Sequence, residues 1–95
     1  MQLRDMKLPQ MYATEDVPIE NKQFSYEVSL LGFAWRWYPI EVDNEGLFFG
    51  LVSGVALEFG YFSESDFATS KLPVMITPVN LTYTDINNRV SGGAL

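Results

Sequence analysis

The sequence predicts an α+β fold: an antiparallel β-meander of about four to five strands, with one short helix after the last meander strand. Three observations predict it. Apolar and polar residues alternate with a period of two, the mark of half-buried strands. Clusters of Gly, Asn, Asp and Ser fall between runs of strand length, where chain reversals need them. One segment, Ser63-Glu64-Ser65-Asp66, has the make-up of a helix start, with a capping hydroxyl and acids at the positive end of the dipole.

The elements follow in order. Residues 1–22 are polar and broken by Pro9 and Pro18, with Leu3, Met6, Leu8 and Met11 available to cap one end of a core. From Asn21 to Leu31, Phe24, Tyr26 and Val28 share one face and Gln23, Ser25, Glu27 and Ser29 the other. Leu30-Leu31-Gly32-Phe33 reads as a turn. The next strand, Ala34–Val42, sets Trp35 and Trp37 on one face, with Arg36, Tyr38, Ile40 and Val42 opposite. Pro39 cannot donate to a ladder, so this strand should lie at an edge or carry a bulge.

Asp43-Asn44-Glu45-Gly46 is a turn, and Leu47–Val52 is a buried strand in which Gly50 marks a bulge or a close backbone approach. After Ser53-Gly54, the strand Val55–Phe62 places Leu57, Phe59 and Tyr61 on one face. The helix runs from its Ser63 cap to about Lys71, anchored by Phe67 and Leu72 and ended by Pro73. Val74–Thr84, rich in β-branched residues, is a last strand, marked for an edge by Pro78. Residues 1–86 form a single globular domain, and 87–95 read as a disordered tail.

Composition narrows the chemistry. The chain has 95 residues, neither Cys nor His, and a net charge of -6. Disulfides, thiolate or imidazole metal sites, and Ser–His–Asp or Cys–His catalysis are therefore excluded. The acidity speaks against nucleic acid, because six cations scattered along the chain build no basic patch. No apolar run is long enough to span a membrane, and the polar start lacks a signal-peptide core, so a cytoplasmic location is expected. The glycines follow neither phosphate-loop nor dinucleotide spacing. No cofactor is expected.

Trp35-x-Trp37-Tyr38-x-x-Glu41, then Leu47-Phe48-Phe49-Gly50, then Gly60-Tyr61-Phe62-Ser63 form a spaced pattern. Leu8-Pro9 and Tyr12 precede it, and the acidic helix entry to Phe67 follows. Over residues 7–70 the pattern resembles domain-of-unknown-function family 2958, small proteins of plasmids, phages and other mobile elements. The resemblance implies a meander-plus-helix fold and a mobile-element setting, but no reaction. Pro39 and the segment after Lys71 depart from it.

Aromatics make up 15% of the chain and occur on both faces of the expected sheet, while a single short helix covers one face. This points to an exposed aromatic surface, with Arg36, Trp37, Tyr38 and Phe48 as partner contacts. The reading is a non-enzymatic protein–protein interaction module that uses an aromatic sheet face or an edge strand. Its alternatives are a homodimeric structural protein joined through the same face, and an acidic mimic that inhibits a host defence nuclease. An enzyme built on carboxylates, with Glu41 facing Glu58 or Glu27, is the least supported reading.

Overall fold

The computed structural model describes residues 1–91. Strands β1 (Gln23–Leu30), β2 (Arg36–Val42), β3 (Leu47–Ser53) and β4 (Leu57–Ser63) form the meander. Helix α1 (Glu64–Ser70) then crosses the sheet, β5 (Val74–Thr82) pairs with β1, and helix α2 (Tyr83–Ser91) follows directly. The strand order is β4-β3-β2-β1-β5, and every pairing between neighbouring strands is antiparallel. This is the α+β meander that the sequence predicts, extended by a second helix.

Both strand prolines act through position. Pro78 lies on β5, an edge strand. Pro39 sits in β2, a central strand, where the register shifts between Pro39 and Glu41. Gly50 lies opposite, and a β-carbon there would come within 2.2 Å of the Tyr38 carbonyl oxygen, so only glycine fits. The bulge also corrects the expected face pattern. Tyr38 and Ile40 belong to one buried cluster, whereas Val42 packs against the other.

The turns use the expected chemistry. Asp43 Oδ1 accepts from the N–H groups of Glu45 and Leu47, at 2.8 and 2.9 Å, and Gly46 takes φ +82°. Gly32 has the same positive φ in the β1–β2 connection. Val55 lies outside β4, almost fully exposed in the β3–β4 turn, rather than in the strand expected from Val55 onward.

Two cores result, one on each side of the sheet. Met6, Val28, Leu30, Phe48, Phe62 and Phe67 form the first, under α1 and the N-terminal segment. Phe24, Tyr38, Ile40, Leu51 and Ile86 form the second, under α2. Strand alternation accounts for the division, because neighbours such as Trp37 and Tyr38, or Leu51 and Val52, pack into different clusters.

Helix α2 corrects two expectations. Residues 87–91 of the predicted disordered tail are helical; residues 92–95 of it lie outside the described residues. The sheet also has a helix on each face, not on one alone. The signal was local. Thr82 and Asp85 form a capping box, in which the Thr82 N–H donates to Asp85 Oδ2 (2.9 Å) and the Asp85 N–H donates to Thr82 Oγ1 (3.2 Å). Tyr83, Ile86 and Val90 then fall on one helical face, with Ile86 fully buried. The same device opens α1, where Ser63 and Asp66 cap each other.

A candidate aromatic groove beside helix α1

Helix α1 is seven residues long and covers only part of its sheet face. At its C-terminal end an apolar groove of about 420 Å³ remains open, walled by Phe33, Trp35, Trp37, Val52, Phe67 and Leu72. Phe67 is the buried anchor, its ring 4.9 Å from the Trp37 ring and near-perpendicular to it. Phe33 stacks on Trp37 at 6.3 Å, and Trp35 lies 6.2 Å from Trp37. The three rings thus continue one another outward from the core. Phe33, Trp35 and Leu72 are exposed by 44%, 36% and 39%, large values for side chains of this size beside a cavity.

The connection carrying these rings is held by Arg36. Its Nη1 donates to the carbonyls of Phe33, Ala34 and Trp35 at 3.1, 3.3 and 3.0 Å. Its Nε lies 3.9 Å from Glu27. Glu27 also accepts from the Tyr38 hydroxyl (2.7 Å) and pairs with Arg89 of α2 (3.5 Å). One carboxylate therefore ties the ring-bearing connection to the helix on the other side of the sheet. Burial, together with the neighbouring Glu27, pushes the Tyr38 phenol up to about 12. Trp35 is held from below as well, since a β-carbon at Gly54 would lie 2.7 Å from its indole carbons.

Of the four expected contact residues, the structure brings two to the groove. Trp37 lines it, and Arg36 organises its rim through backbone carbonyls. Tyr38 and Phe48 are corrected: they are buried, 3% and 2% exposed, in the two opposite cores. Tyr38 alternates away from Trp37, and Phe48 stacks on Phe62 under α1. Phe33 and Leu72 carry no contact signal in the sequence, where one reads as a turn residue and the other as a helix anchor. Trp35 shares a face with Trp37 in the sequence pattern, and that was the signal available.

Glu27 and Glu41 have separate structural partners. Glu41 is buried on the bulge, and its oxygens accept from the backbone N–H groups of Tyr12 and Thr14, both at 2.8 Å, and from the Thr14 hydroxyl. Lys22, also buried, donates to the Thr14 carbonyl at 2.7 Å. Burial pushes the Glu41 carboxyl up, but these hydrogen bonds and the Lys22 charge outweigh it and hold the group below the ordinary range. The carboxylate thus fixes the N-terminal loop, including Tyr12 at φ 71°, a left-handed conformation rare for an aromatic residue. Among the described residues, no three His, Cys, Asp or Glu side chains converge so as to hold a metal ion. No helix among them is long and apolar enough to cross a membrane.

The fold and the groove define an α+β antiparallel-sheet protein with an open aromatic cleft. Comparisons of the chain with protein-family models, curated proteins and solved structures returned no match.

Proposed function

We propose that the chain is a non-enzymatic protein-interaction module that seats an apolar side chain of another protein in the groove between Phe33, Trp35, Trp37 and Leu72. One observation supports this above the rest: solvent-facing rings surround an open hollow, and their connection is held by Arg36 rather than left loose. A pre-formed apolar pocket with fixed walls is the arrangement that lets a few aromatic anchors supply most of a binding energy. The mobile-element setting implied by the sequence resemblance belongs to the same proposal.

Selection from a random peptide library displayed on phage tests it. Enriched peptides are expected to carry an aliphatic or aromatic anchor and to bind Leu72→Ser at least about tenfold more weakly, since a buried anchor contributes roughly 1.5–3 kcal/mol. Leu72 is partly exposed, so this variant is expected to keep the fold. Peptides that bind Leu72→Ser as tightly as the wild type would place recognition elsewhere and end the proposal.

A further inference from the structure

The groove has a charge as well as a shape. Asp66 lies in its wall, and its Oδ2 accepts from the Ser63 N–H, leaving Oδ1 for another donor. Glu58 stands directly opposite Val52 in the β3–β4 ladder, so its side chain emerges on the groove's face beside a lining residue. Glu58 is exposed, and among the described residues neither it nor Asp66 has a cation within salt-bridge distance. The nearest cation along β2, Arg36, is committed to three carbonyls and to Glu27. Lys71, between the lining residues Ser70 and Leu72, is the other cation that flanks the mouth in sequence. The surrounding molecule is acidic, with a net charge of -6.

Aromatic faces and carboxylates together are complementary to a side chain with an apolar stem and a cationic head. The ring quadrupole attracts the cation, the stem lies along the rings, and the acid takes the N–H donors. An apolar anchor with no charged neighbour would leave both acids without use, and an acidic neighbour would be repelled by them. We infer that the groove recognises an arginine-bearing basic segment of a partner protein, with an apolar neighbour of the arginine in the hollow, the guanidinium over Trp35 and Trp37 and its donors toward Asp66 and Glu58. This rests on the reading of the groove as an interaction site and gives that site its partner chemistry. The field of an acidic protein would also speed the approach of such a segment, an effect that added salt removes.

Both tryptophans of the chain line the groove, so tryptophan emission reports on this site alone. The probe is the peptide acetyl-Gly-Leu-Arg-Leu-Arg-Gly-amide, titrated against the same peptide with citrulline at both arginines, which keeps the shape and removes the charge. The basic peptide is expected to change the emission saturably, to bind on the order of tenfold more tightly than its citrulline twin, and to weaken as salt is raised. Glu58→Gln should weaken it by about threefold, the effect of one exposed ion pair, and Lys71→Gln should tighten it. Both substitutions are at exposed positions outside the rings.

Equal affinity for the two peptides would overturn the inference and leave the groove as a neutral apolar site. The absence of any change in emission with either peptide would also overturn it. The library selection with Leu72→Ser, which leaves the charge unchanged, judges the groove reading separately, so the two failures are distinguishable.

Discussion

Two aromatic groups occupy opposite faces of one sheet, and they differ in what covers them. On the α1 face, Phe33, Trp35 and Trp37 border a hollow, because α1 ends before it reaches the β1–β2 connection. On the α2 face, Phe49, Phe59 and Tyr83 stack in a row with rings near 6 Å apart, Tyr83 arriving from α2 itself. Beneath that row Ile86 closes a core with no exposed surface of its own. Similar ring chemistry thus makes packing on one face and a cleft on the other. The residue types do not decide between these outcomes; the reach of the covering helix does.

The comparison is broken most strongly at the two helix anchors. Phe67→Ala should cost about 4 kcal/mol and Ile86→Ala about 3 kcal/mol, the usual range for emptying a buried site of that size. Urea unfolding measures both. The two should separate in native tryptophan emission, which shifts in Phe67→Ala because Trp37 loses its edge-on partner and stays near wild type in Ile86→Ala. Equal shifts would mean that the faces are coupled more tightly than the separate clusters imply.

The bulge offers a second, smaller effect. Glu41→Gln should cost about 2 kcal/mol near neutral pH, because a buried charged acceptor is replaced by a weaker one. The folded-state pKa of Glu41 lies below its unfolded value, so its contribution is fully present above the unfolded value of about 4.3. It is lost as pH falls through the folded value. The wild type should therefore converge on the variant in acid, and stability curves that stay parallel below about pH 4 would count against this role.

The smallest effect on stability should come from Gly54→Ala. The added methyl meets the Trp35 indole, which can swing outward, so unfolding free energy should change by no more than about 1 kcal/mol. Tryptophan emission should nevertheless move to the red as the indole meets water. Unchanged emission would show that Trp35 is not held by this contact.

Much of the fold was legible because the signals were local. Alternation located the strands, Asp43 to Gly46 gave a turn, and Ser63 with Asp66 gave a helix start. The Thr82–Asp85 box is the same signal as Ser63–Asp66, but the Asn-rich, Gly-ended stretch after it reads as a solvated tail. The candidate site was half legible. Trp37 and Arg36 stand at the groove, whereas Tyr38 and Phe48 are buried, because a second helix covers the face that one predicted helix leaves open and the N-terminal segment helps to cover the other.

By itself, the sequence determined the antiparallel strands, the helix after β4, the need for a bulge or an edge at Pro39 and Pro78, and the exclusion of Cys and His chemistry. These follow from backbone geometry and side-chain inventory, which act over a few residues. Tertiary structure decided which strand became central, which aromatic rings were covered, and that Arg36 would spend its donors on the connection beside it. Those outcomes depend on where β5 docks and how far each helix reaches across the sheet. They are set by contacts between residues far apart in the chain, which no local pattern encodes.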